Sequence, residues 1–132
     1  MTADIFELFE LIGYRDAPGS DDEAVVELPV ARHVVNTNGG LQGGLLATLV
    51  DTAAGKLAMR QLPPGHSVVT SDLNLRYLRP VTAGAARAVA RLVHSGKRSM
   101  VIQVEIFTVP DNDLAVVASV SFAKIRVKEA AT

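Results

Sequence analysis

After one long helical stretch, the chain turns to four β-rich runs whose separators are too short to hold a helix, and that order fixes most of what it can fold into. The runs cover 66 to 78, 84 to 95, 98 to 109 and 114 to 127. Their links, Arg79-Pro-Val-Thr-Ala-Gly84, Ser95-Gly-Lys97 and Pro110-Asp-Asn-Asp113, are rich in turn-forming residues and read as antiparallel hairpins. Parallel neighbours need crossovers on the order of a dozen residues, so the sheet is predicted to be antiparallel. The helix covers 44 to 61, with Leu46, Val50, Ala53 and Leu57 on one side and Thr48, Thr52, Lys56 and Arg60 on the other. Pro63-Pro64-Gly65 ends it. Upstream, 23 to 30 reads as a strand that Pro29 weakens or confines to an edge, preceded by turn chemistry at Pro18-Gly-Ser-Asp-Asp22. Ile5, Leu8, Phe9 and Ile12 give residues 3 to 13 the spacing of a short amphipathic helix, a lid or packing element. Together these elements predict an α+β fold, an antiparallel sheet of five to six strands wrapped around one long central helix.

A length of 132 residues predicts a single domain, with 1 to 22 as N-terminal helix and turn, 23 to 127 as core and 128 to 132 as tail. Aromatic residues make up 5% of the chain and Trp is absent, so the core has to be built from Val, Leu, Ile and Ala. An apolar content of 48% in so small a chain points to self-association. The net charge of −1 supplies no basic field for nucleic acid, and the lack of Cys excludes disulfides, thiolate catalysis and Cys-based metal sites. Three scattered His without spaced carboxylate partners make no metal site, and His33 reads as a solvent-facing or locally bonded loop residue. The start Met1-Thr-Ala-Asp-Ile-Phe-Glu lacks the pattern of a signal peptide and no 18 apolar residues run uninterrupted, so a cytoplasmic protein with no membrane partner is expected.

One carboxylate, Asp51, lies inside the apolar helix, in line with the small residues Ala47, Ala54 and Ala58. Burying an unpaired carboxylate is expensive, so one placed in such a seam needs a partner or a task. Eight residues upstream, Gly43 and Gly44 can present bare backbone N–H groups at the helix start, where the macrodipole favours developing negative charge. No Gly-x-Ser-x-Gly occurs, and Gly39-Gly-Leu-Gln-Gly-Gly44 is neither a P-loop nor a dinucleotide fingerprint.

The segment Asn36 to Asp51, with Gly39-Gly40-Leu41-Gln42-Gly43-Gly44 inside it, and the later Thr70-Ser-Asp-Leu-Asn-Leu-Arg-Tyr-Leu-Arg-Pro80 resemble the PaaI-type acyl-CoA thioesterases of the hotdog superfamily over about residues 23 to 127. That resemblance implies hydrolysis of an acyl-CoA to free acid and CoA, without a metal or redox cofactor. It makes Asp51 nucleophile or general base and the Gly43 amide, assisted by Gly44, the group that polarises the thioester carbonyl. Gln42 stands where the family usually has His; it cannot titrate, and its amide can orient a carbonyl or water. Asn36 and Thr70 complete the set, and Arg76, Lys97 and Arg98 are candidates to hold the CoA phosphates. The resemblance further implies a homodimer or homotetramer with active sites at the subunit interface, where Asn36, Gln42 and Gly43 of one copy face Asp51 and Thr70 of the other.

Each residue also has a plainer reading: Asn36 as an Asx turn, Gly43-Gly44 as a tight turn, Thr70 as a β former, the basic residues as solvated charge. Two functional alternatives stand beside hydrolysis: an acyl-CoA-binding module without turnover, and a structural dimer in which Asp51 is a satisfied polar contact. The acyl pocket is expected to be lined by aliphatic residues of the helix and by the N-terminal Phe6, Leu8 and Phe9, which points to aryl or medium-to-long acyl groups.

Overall fold

A computed structural model describes residues 4 to 128. The first helix, α1 (Ile5–Ile12), starts where the Asp4 carboxylate accepts the Glu7 N–H at 2.8 Å. It stops at Gly13, which takes the left-handed conformation (φ 116°) and returns its N–H to Phe9. None of its residues is buried. Next comes a hairpin of β1 (Arg15–Ser20) and β2 (Glu23–Pro29), and then the long helix α2 (Gly43–Arg60). The strands β3 (His66–Tyr77), β4 (Ala85–Ser95), β5 (Ser99–Val109) and β6 (Leu114–Arg126) follow, within a residue or so of the predicted runs.

All pairings are antiparallel and the spatial order is β1-β2-β4-β5-β6-β3. The order corrects three expectations. Residues 18 to 20 are strand rather than turn, because β1 is an edge and an edge strand tolerates Pro18. The 23 to 30 segment is not an edge, since β2 pairs on both sides, and Pro29 is harmless as its last residue. Residues 78 to 84 form no hairpin: β3 pairs with β6, so this link crosses the end of the sheet past two strands to reach β4. It lands at Gly84 (φ 69°), where a Cβ would lie 1.8 Å from the Val109 carbonyl oxygen.

One face of the sheet is aliphatic in every central strand, with Val26 and Leu28, Ala86 to Ala90, Ile102 to Ile106 and Val116 to Phe122 alternating inward. The helix α2 lies on that face against β2 to β6 and buries Leu46, Leu49, Val50, Ala53, Ala54, Leu57 and Ala58. Alanines on both β4 and α2 let helix and sheet approach closely, which is how a core nearly without aromatics fills its volume.

On the opposite face Glu27 is only 8% exposed, between Arg15 and Arg87 of the flanking strands; Arg87 Nε donates to it at 2.8 Å and Arg15 Nη2 at 3.2 Å. Burial pushes its pKa up, but the two guanidinium groups outweigh burial and hold it below 4.5. A depressed carboxylate stabilises the fold above its unfolded pKa, and that contribution is lost as pH falls through the folded value. Glu27→Gln is therefore expected to cost on the order of 1 kcal/mol near neutrality, with the gap to wild type closing below pH 4.5 in acid-unfolding titrations.

Candidate active site

Residues 35 to 42 form a closed loop pinned at both ends. Val35 bridges Leu41, the Gln42 N–H donates to Val34, and the Leu41 N–H reaches the crossover at the Val81 carbonyl, 2.9 Å away. Asn36 organises the interior: its Oδ1 accepts from the Asn38 N–H at 2.9 Å and the Gly40 N–H at 3.2 Å. The side-chain oxygen of Asn36 is thus committed to holding the loop.

Gln42 caps α2, its Oε1 accepting the Leu45 N–H at 2.8 Å, while its side-chain NH2 has no partner within the described residues. Folding back this way brings Oε1 over Gly44, where a Cβ would come within 3.0 Å of it. The cap satisfies Leu45 and leaves the N–H groups of Gly43 and Gly44 without an acceptor in the described residues. Two bare donors at the positive end of an 18-residue helix suit a carbonyl oxygen that gains charge.

Hydroxyls hold that helix start from three directions. Tyr77 on β3 donates to the Gly43 carbonyl at 2.6 Å, Thr48 to the Gly44 carbonyl at 3.1 Å, and Tyr14 to the Leu45 carbonyl at 2.6 Å. Burial pushes Tyr14 up to about 12, with Thr48 pulling back more weakly, and raises Tyr77 as well, so both remain donors through the neutral range. The peptide that carries the Gly43 carbonyl also carries the Gly44 N–H, so the Tyr77 bond polarises a free donor. Neither tyrosine was singled out by the sequence. Tyr77→Phe is expected to leave the fold intact while lowering kcat about tenfold through the lost anchor, which steady-state kinetics beside a thermal melt would check.

Asp51 lies about 12 Å along the axis from Gly43, given the 1.5 Å rise per residue. Thr70 Oγ1 donates to Asp51 Oδ1 at 2.7 Å. The carboxylate is partly exposed in the single chain, not enclosed in a packed seam as its stripe of alanines predicted: beyond it lies β3, an edge strand with no outer neighbour. Arg76 alternates with Leu75 and Tyr77 and so points to the other face of the sheet from Asp51. Lys97 and Arg98 are exposed in the β4–β5 turn. The structure therefore brings Asp51 and Thr70 together and Gln42, Gly43 and Gly44 together, and leaves the three basic residues apart from both groups within one chain. His33 lies in a short 3₁₀ turn, its Nε2 within 3.0 Å of the Leu11 carbonyl and 2.8 Å of that of Ile12. Among the described residues no group of acids and His could hold a metal, and no helix is long and apolar enough to cross a membrane.

A six-stranded antiparallel sheet wrapped on one long helix in this strand order defines the class: a hotdog fold. The chain belongs to the thioesterase superfamily, whose sequence model matches residues 38–115, and so to the thioester hydrolases. It is similar to the 1,4-dihydroxy-2-naphthoyl-CoA hydrolase of Listeria monocytogenes, 31% identical over 99 residues that cover 75% of this chain and 80% of that protein. A thioesterase of Haemophilus influenzae superposes with a TM-score of 0.85 at 26% identity, covering 100% of this chain and 97% of that one. A Bacillus halodurans protein solved with CoA superposes at 0.84 with 36% identity, over 92% of this chain and 80% of that one.

Proposed function

We propose that the protein hydrolyses an acyl-CoA thioester at a site assembled from two copies of the chain. One observation carries the two-copy reading: Gly43 and Asp51 stand eight residues apart on one rigid helix, about 12 Å along its axis. A thioester carbonyl presents its oxygen to a donor roughly 3 Å away and its carbon to a nucleophile roughly 3–3.5 Å away, so one carbonyl cannot reach both groups of the same helix. Pairing of the unpartnered β3 edges about a twofold axis supplies the complement, setting Gly43 of one copy opposite Asp51 and Thr70 of the other. The edge suits such pairing: Val69, Leu73, Tyr77 and Leu78 on or just beyond β3 are exposed apolar residues.

In this arrangement the Gly43 N–H, with that of Gly44, holds the carbonyl oxygen, and the free NH2 of Gln42 is available to it or to water. Asp51 either attacks the carbonyl carbon, giving a mixed anhydride that water opens, or removes a proton from the attacking water; CoA leaves as its thiol in both routes. Thr70 fixes the carboxylate through Oδ1 and leaves Oδ2 for the chemistry. Arg76, Lys97 and Arg98 meet the CoA phosphates only if the partner's surface brings them near. The Bacillus halodurans relative solved with CoA supports a CoA ester as substrate.

Thiol release from a panel of short, long and aromatic acyl-CoAs tests the proposal. Turnover on any of them supports it. Thermal stabilisation by acyl-CoA without thiol release returns the protein to the non-catalytic binding reading.

A further inference from the structure

Asp72, Asn74 and Arg76 alternate along the face of β3 that turns away from α2, and all three are exposed. Neither Asp72 nor Arg76 forms an ion pair among the described residues. They cannot satisfy each other within one chain, since four residues of strand hold them about 13 Å apart. Their neighbours on β6, Ser121 and Val117, carry no charge, and Glu105, one strand further on in the register of Arg76, already faces Arg91 at 3.6 Å.

The order of these residues is self-complementary. Read in either direction from Asn74, the segment Asp72-Leu-Asn-Leu-Arg76 gives a leucine and then a charge, and the two charges differ in sign. When two copies of an edge strand pair antiparallel about a twofold axis, opposite residues share a face, so the axis falls where a residue meets its own copy. An axis at Asp72 or Arg76 sets like charges together, and one at Leu73 or Leu75 sets Asn74 against a charge. An axis at Asn74 sets Asp72 opposite the partner's Arg76 twice and Leu73 opposite the partner's Leu75 twice. The same axis completes the site: Tyr77, which anchors Gly43, then lies opposite the partner's Ser71, at the irregularity beside the threonine that anchors the partner's Asp51.

We infer that Asp72 and Arg76 form two symmetric ion pairs across the subunit junction, and that these fix the register in which Gly43 of one copy meets Asp51 of the other. The inference rests on the two-copy reading of the site. Opposite charges directly across an antiparallel pair stabilise it, and like charges oppose it. A slip of two residues, the smallest that keeps every side chain on its face, breaks both ion pairs and shifts the halves of each site by about 7 Å. Arg76 is in this role a positioning residue, not a ligand of the CoA phosphates.

Charge reversal tests the register through assembly rather than turnover. Asp72→Arg chains carry two cations on this face and Arg76→Asp chains two acids, so each variant alone sets like charges together at both pairs. Sedimentation of dilution series is expected to show each single variant dissociating about tenfold or more above the wild-type constant, with the deficit shrinking in concentrated salt. The double variant Asp72→Arg/Arg76→Asp restores both pairs with their signs exchanged and is expected to associate like wild type. An equal mixture of the two single variants should do the same, because each mixed dimer holds two opposite-charge pairs. Wild-type dissociation in either single variant overturns the ion pairs, as does a double variant that stays as weak as the singles. Weaker CoA binding by Arg76→Asp with unchanged dissociation would return that residue to phosphate contact. A wild type that is monomeric at every concentration would remove the two-copy site itself, whereas a wild type that self-associates and is indifferent to the reversals removes only the ion pairs.

Discussion

Asp51→Asn is expected to lower kcat for thioester hydrolysis by about a thousandfold or more, in the range general-base and nucleophilic carboxylates command. The substitution preserves shape, and an asparagine oxygen can still accept the Thr70 hydroxyl that now lies 2.7 Å from Oδ1. It removes the charge that would attack the carbonyl or take the proton from water. Asp51 is only partly buried and forms no ion pair among the described residues, so the melting temperature should move little. Rate loss without loss of stability or of CoA binding, measured by thiol release, thermal melt and calorimetry, marks a group that acts on the transition state. Turnover within about tenfold of wild type would assign the chemistry elsewhere.

The second large effect separates the two halves of the site. Gly43→Pro deletes one N–H and nothing else essential: proline is favoured at the first position of a helix, and Gln42 already has the extended backbone (φ −63°, ψ 132°) that a residue before proline requires. A Cβ at position 43 meets the Tyr77 hydroxyl oxygen no closer than 3.6 Å, an ordinary contact. Losing an oxyanion donor should lower kcat by about 10²–10³. Mixed with Asp51→Ala chains and allowed to exchange, Gly43→Pro chains should recover activity, because each mixed dimer holds one intact amide opposite one intact carboxylate. Random exchange predicts roughly one quarter of wild-type sites. If the mixture stays as inactive as its components after demonstrated subunit exchange, each chain would have to complete its own site and the shared-site arrangement would be wrong.

Periodicity made α2 and the four long strands legible, because a two-residue alternation and a helical repeat are properties of local sequence. Partner choice is not. The turn residues of 79 to 84 announce a change of direction, and nothing in them says that β3 leaves β4 for β6. Pro18 and Gly19 hid β1 because turn chemistry and a proline-tolerant edge look alike. Asp51 and the glycine pair stood out as a lone carboxylate and bare amides in an apolar helix, Thr70 only through the family pattern, and the structure adds which of them are neighbours within one chain. Tyr77 escaped for a reason of parity. It stands seven residues after Thr70, which in a regular strand puts the two on opposite faces, but the irregularity at Ser71 inserts one residue and turns both toward α2.

The placement of β3 beside β6 also dictates when the molecule can become competent. Thr70 pairs with Phe122 and Tyr77 with Val116, so the strand that steadies the start and the middle of the helix waits for the last strand to be synthesised before it has a neighbour. Contacts across such sequence distances form slowly, because a long loop must close before they contribute. A nascent chain can roll β4 and β5 against α2 early, yet the Thr70 and Tyr77 anchors settle only once the C-terminal quarter is present. Truncation ahead of residue 116 would thus disable a centre none of whose residues it removes.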